Sequence, residues 1–261
     1  MTVQNIIDQM ESWAPPQLAE SFDNVGLLVG NPAWEIKKIL VALDATDAVI
    51  AEAIAGGYQA IITHHPLTYN PLKAVVATDI IGRKILALAK HEIALFSAHT
   101  NLDKAEGGVN HCLASILGLE NTHPMTPDAT NPALGLGLVS KLATPTTLEK
   151  LAQHVKQALN LADIRYSGSL QKNIQKVAIC GGSGMSFWQD AKKAGADVYI
   201  TGDVKYSDAL PLLESGMCIL DITHYSGENI IVDAIVKKLA PQNPGIIIEA
   251  TQINGQPFFT L

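Results

Sequence analysis

The chain has 261 residues, 48% of them hydrophobic and 16% charged, which is enough apolar material for a packed core and too little charge for a disordered polymer. A formal net charge of -7 repels phosphate backbones and argues against nucleic acid as a partner. No run of about 18 apolar residues suggests a membrane span, and Cys112, Cys180 and Cys218, an odd set in apolar contexts that look like core, point to a reducing, cytoplasmic compartment without disulfides.

The opening MTVQNIIDQMESW has no basic flank and no long apolar run, so it reads as a helix with Ile6, Ile7 and Met10 on one face rather than a signal peptide. From Lys38 the pattern is a buried strand (KKILVALDAT), a helix (DAVIAEAIAGG) closed by Gly56 and Gly57, and a second strand (QAIIT). A further apolar strand, EIALFSAHTNLD, runs into His99. A helix is expected over Val109 to Leu117 and a loop over Glu120 to Ala133, where Pro124, Pro127 and Pro132 make the best domain boundary. GLGLVSKL then reads as a strand, TLEKLAQHVKQALN as an amphipathic helix and DIRYSG as a strand.

From Lys176 the earlier grammar returns: KVAICGGSG, then MSFWQDAKKAG closed by Gly195, then ADVYITGD. The two copies align without a gap, so that Lys38 matches Lys176, Gly57 matches Gly195 and Thr63 matches Thr201. Each copy is followed by an apolar strand ending in histidine, which pairs His99 with His224 and Asp103 with Glu228. The helix NIIVDAIVKKLA stops before Pro241, and GIIIEAT forms a last strand. These elements predict an α/β protein of two pseudo-repeated α/β halves, each a mixed sheet flanked by helices, with the chemistry at the carboxyl ends of the strands. The expected halves are residues 1–125 and 126–261, with 229–261 as candidates to complete the first.

His64 and His65 follow a strand end, where adjacent imidazoles can diverge toward two neighbouring points. His99 with Asp103 and His224 with Glu228 have the spacing that brings both side chains to one side of a helical turn. Imidazole and carboxylate donors without a well-placed thiolate suit zinc, manganese or ferrous iron in an open, catalytic type of site. Asp103 and Glu228 are the candidates for bridging two ions. Asp203 in TGDVKY takes the repeat position of His65, and with Lys205 it should border the same cleft. ICGGSGMS is either an anion cradle or a set of glycines needed for a tight strand-to-helix turn. His91, His111, His123 and His154 lack such a constellation, and Ser183 and Ser186 have no evident base.

The motifs FDNVGLLVG, ITHHPL, SAHTNLD, GGSG, TGDVKY and DITHYSGE, in this order from Phe22 to Glu228, resemble the Nif-three-like family, also called GTP cyclohydrolase 1 type 2 homologues. The resemblance implies a two-domain α/β subunit, a ring-shaped homohexamer, and two divalent metal ions per subunit held in the cleft between the two halves by His64, His65, Asp103, His224 and Glu228. In the same register His99 stands near the metals rather than among the five ligands, which implies that it either supports a ligand or has an acid-base role, although its repeat partnership with His224 keeps a ligand role open. The function so implied is metal-dependent hydrolysis of a nucleotide-like or phosphorylated small molecule. The alternative is a non-catalytic ring that stores or delivers metal or serves as a protein-interaction scaffold.

Overall fold

The computed structural model describes residues 1–260 and divides the chain into two units. The first comprises Met1–Ala105 and Ile231–Gly255, and the second comprises Glu106–Ile230 with the C-terminal residues from Gln256. The first unit opens with α1 (Val3–Trp13), β1 (Gly26–Val29), β2 (Lys38–Ala42), α2 (Asp47–Gly56), β3 (Ala60–Thr63), α3 (Ile80–Lys90), β4 (Ala94–Ser97) and the short α4 (Thr100–Lys104). The second is built from α5 (Val109–Ile116), β5 (His123–Pro127), β6 (Gly135–Thr147), α6 (Leu148–Ala158), β7 (Arg165–Ser167), β8 (Asn173–Ile179), α7 (Trp188–Lys193), β9 (Val198–Thr201), α8 (Tyr206–Glu214), β10 (Cys218–Asp221) and the short α9 (His224–Glu228). The chain then returns to the first unit through α10 (Ile230–Leu239) and β11 (Ile247–Ala250).

In the first unit the strand order is β1-β4-β3-β2-β11, with β4, β3, β2 and β11 parallel and β1 antiparallel on β4. In the second it is β5-β6-β8-β9-β10-β7, with a parallel centre of β8, β9 and β10 and antiparallel strands on both sides. These are the expected mixed sheets flanked by helices. Alternating residues of the second sheet separate into two cores. Leu138, Val177, Ile179, Ile200 and Leu220 pack with α5 and α6, while Val139, Ala178, Tyr199 and Ile219 pack with α7 and α8. In the first sheet Leu40, Ile61 and Leu95 pack with Val49, Ile50 and Ala53 of α2 and Leu88 of α3. Strands covered on both faces read as continuous apolar runs, which is why IIT and VYIT lack alternation.

The pseudo-repeat extends to individual hydrogen bonds. Lys38 Nζ donates to the carbonyl of Gly56, and its repeat partner Lys176 donates to the carbonyl of Ala194. Gln59 Oε1 accepts from the amides of Lys37 and Lys38, and at the equivalent position Asp197 Oδ2 accepts from Gln175 and Lys176. Gly57 and Gly195 both adopt left-handed backbone, with φ of 65° and 77°, as residues just past a helix end commonly do.

Four elements depart from the expectations. The proline-rich segment contains β5, and the edge of the sheet tolerates Pro124 and Pro127 because an edge strand can leave amides unpaired. Helices α3 and α8 escaped the reading because each buries little: Gly82 and Leu88 in α3, and Leu212 in α8, which also contains Pro211. The predicted helix after GGSG starts as a 3-10 turn over Gly184–Phe187 before α7 begins. Among the described residues there is no disulfide. Cys180 and Cys218 are buried, and burial pushes the Cys218 thiol up. Cys112, expected in the core, is half-buried, because Leu113 and Ala114 are the residues α5 turns inward.

Candidate metal centre

In the first unit the carboxyl ends of three parallel strands supply the site. His64 and His65 follow β3, His99 follows β4 and caps α4, and Asp44 follows β2. The segment after β3 is held by hydroxyls: Thr63 Oγ1 donates to the carbonyl of His65 (2.8 Å), and Thr63 Oγ1 and Ser97 Oγ lie 2.8 Å apart. One ligand nitrogen from each of His64, His65 and His99 lies within 4.8 Å of the other two. Asp103, one turn into α4, has Oδ1 3.6 Å from His64 Nε2. The spacing of His99 and Asp103 therefore does correspond to a helical turn.

Each of these imidazoles is held through Nδ1 by an oxygen acceptor. His64 Nδ1 donates to the carbonyl of Ala98 (2.9 Å), His65 Nδ1 to Asp44 Oδ1 (2.8 Å), and His99 Nδ1 to Asp23 Oδ1 and Oδ2 (2.9 and 3.0 Å). A carbonyl or an ionised carboxylate can only accept, so Nδ1 carries the proton in all three. In its neutral form each ring then has its lone pair on Nε2, the tautomer and orientation typical of histidines that bind metal.

The second unit repeats this chemistry with other residues. His224 opens α9, its Nδ1 donates to Asp203 Oδ2 (2.7 Å), and its Nε2 lies 2.8 Å from Glu228 Oε2. Thr223 caps α9 by accepting from the amide of Ser226. Its φ of 63° is costly for a β-branched residue, and Asp203 has φ of 55°. The two residues that aim His224 thus both sit in the left-handed region, a kind of backbone strain that clusters at functional sites.

The glycine-rich turn is explained by packing against this helix. A Cβ on Gly182, where φ is +63°, would lie 1.8 Å from Glu228 Oε1, and one on Gly181 would lie 3.1 Å from the carbonyl of Gly227. Gly202 is similarly close, since its Cβ would meet the His224 amide nitrogen at 2.6 Å. The glycines let α9 approach the ends of β8 and β9, a packing role that neither reading of ICGGSGMS contained.

A family model described as Duf34/NIF3 (NGG1p interacting factor 3) matches residues 1–257. The chain belongs to the DUF34/NIF3 family. A relative named GTP cyclohydrolase 1 type 2 homolog, from Clostridium perfringens, is 42% identical over 228 residues, covering 87% of each chain. A Bacillus cereus protein related to NIF3 has a TM-score of 0.92 at 28% identity, covering 100% of this chain and 99% of its own. A hypothetical protein of Staphylococcus aureus has a TM-score of 0.91 at 32% identity, with the same coverage.

Within this DUF34/NIF3 fold the remaining candidates are placed elsewhere or have other roles. Asp203 supports His224 through Nδ1. His154 Nε2 is bonded to the carbonyl of Leu117, His91 caps the end of α3, and His123 lies in the edge strand β5. Lys205 caps α8, and Ser183 and Ser186 are exposed. Two residues went unassigned in the sequence reading. Asp44 carried a weak signal, being a carboxylate just past a strand end. Asp23 was visible only as part of FDNVGLLVG. Its side chain is wholly buried; burial alone would raise its pKa, but hydrogen bonds from His99 and Thr100 hold it far below the ordinary carboxylate range.

Among the described residues no helix is long and apolar enough to cross a membrane.

Proposed function

We propose that the protein is a cytoplasmic, dinuclear metal-dependent hydrolase acting on a nucleotide-like or phosphorylated small molecule, with His64, His65, Asp103, His224 and Glu228 as the metal ligands. The observation that carries this reading is the shared anchoring of His64 and His65 through Nδ1, which presents Nε2 as the basic nitrogen in each. Donors of this kind suit zinc, manganese or iron. The ions would supply Lewis acidity and bring the pKa of a water toward neutrality. Asp44 and Asp203 keep His65 and His224 from rotating. His99, with the same anchoring, accepts the proton released by the attacking water at Nε2 and returns it to the leaving group. The name of the Clostridium perfringens relative supports the nucleotide-like substrate class.

Elemental analysis of purified protein, combined with a broad metabolite screen, tests the reading. Two ions per subunit, with turnover of a nucleotide-like compound that disappears on chelation while the fold is kept, is the expected result. A stoichiometric metal load with no turnover would favour the storage, delivery or scaffold role instead.

We also propose that the protein assembles as a homohexamer. A cluster of exposed aliphatic residues supports self-association: Leu72, Val75, Val76 and Ile80 lie close in sequence and are 40–57% exposed. Light scattering is expected to return about six times the 27.8 kDa chain mass. A 27.8 kDa species at micromolar concentration would overturn the assembly.

A further inference from the structure

The FDN turn has no part in the ligand set, yet it carries a buried carboxylate beside the site. Asp23 accepts from four donors: His99 Nδ1, the Thr100 amide, the Thr100 hydroxyl and the Asn24 amide. Thr100 Oγ1, having given its proton to Asp23, accepts from the amide of Glu20 (2.9 Å). Asn24 Nδ2 donates to the carbonyl of Thr68 (2.8 Å), which ties the turn to the loop carrying Tyr69. The Tyr69 ring stands edge-on to His99, with centroids 5.7 Å apart. Every contact on the Asp23 carboxylate comes from a donor, so the group can act only as an acceptor, and it does not surrender a proton to its surroundings.

We propose that Asp23 is a positioning residue, which fixes His99 in the Nδ1–H tautomer and so turns its Nε2 lone pair toward His64 and His65. With Nδ1 held by both oxygens of a buried carboxylate, Nε2 is the nitrogen left to face the site. The FDN turn thereby becomes part of the reaction centre. This inference rests on the acid-base role proposed for His99, but the tautomer can be read whether or not a substrate is known.

The test uses the full-length protein, labelled with 15N histidine and treated with chelator so that no ion competes for Nε2. Magic-angle-spinning spectra at alkaline pH distinguish protonated from unprotonated ring nitrogens, and the His99 signals are identified by their loss in His99→Gln. In the unsubstituted protein His99 is expected to be protonated on Nδ1. In Asp23→Asn the amide places an NH2 group among four donors, and the His99 proton is expected to move to Nε2. A comparable Asp-to-Asn exchange in serine proteases leaves the geometry intact but gives the wrong tautomer and costs about 10⁴-fold in kcat. Thr100→Val removes one donor and keeps the carboxylate, so it should leave the tautomer unchanged. A proton on Nε2 in the unsubstituted protein would overturn the proposal, even if Asp23→Asn does not fold. So would an Asp23→Asn protein that folds and keeps Nδ1 protonated, because Asp23 would then serve only the backbone of the turn. If Nδ1–H is found but no substrate ever turns over, the hydrolase reading fails while the positioning role stands.

Discussion

Asp103→Ala and Glu228→Ala are each expected to strip the protein of most of both metal ions, from about two per subunit to well under one. Two divalent cations bring four positive charges, and of the five proposed ligands only these two are anionic. Their side chains are 12% and 5% exposed, so little solvent screens the attraction. At an effective dielectric constant of about 20, a unit charge pair 4 Å apart is worth about 4 kcal/mol, roughly a thousandfold in affinity, and each carboxylate faces more than a single unit charge. His64→Ala or His65→Ala removes a neutral donor and should mainly weaken one ion. His99→Ala should keep the metals but impair hydrolysis. Elemental analysis after gel filtration distinguishes these outcomes. Two ions per subunit retained in both carboxylate variants would end the bridging assignment, and a His99→Ala protein as depleted as they are would make His99 a ligand.

The second large effect is expected at a residue with no functional group. Gly182→Ala introduces a Cβ 1.8 Å from Glu228 Oε1 and 3.4 Å from His224 Nε2, at a φ of +63°. The backbone conformation alone costs roughly 1–2 kcal/mol for a side chain other than glycine. The contact cannot be relieved without moving the Glu228 carboxylate, so metal binding should fall about as far as in Glu228→Ala. Gly57→Ala separates the two causes, because Gly57 has φ of +65° but open space around its would-be Cβ. That variant should lose a similar 1–2 kcal/mol in denaturant unfolding and keep its metal. Equal metal content in the two glycine variants would mean that Gly182 is there only for the turn.

Most of the fold could be read from the chain because its signals are local. The runs IIT and VYIT mark buried strands, Gly57 and Gly195 mark helix ends, and the match of Lys38 with Lys176 extends to equivalent hydrogen bonds. What escaped notice has weak local signals. Helices α3 and α8 bury few side chains, and β5 is a strand in spite of its prolines because it lies at a sheet edge.

The sequence by itself determined the family, the α/β grammar of the two halves and the candidate donors, since strand ends, glycine caps and a four-residue spacing on a helical turn are properties of neighbouring residues. Only the tertiary structure decided which acceptor holds each histidine. Asp44 is 21 residues from His65, Asp23 is 76 from His99, and Asp203 is 21 from His224. These pairs depend on which strand end and which turn come to lie side by side, and no periodicity along the chain encodes that. The tertiary structure also supplied a packing reason for glycine in the GGSG turn, because the space denied to a Cβ at Gly182 is taken up by Glu228, 46 positions further along the chain.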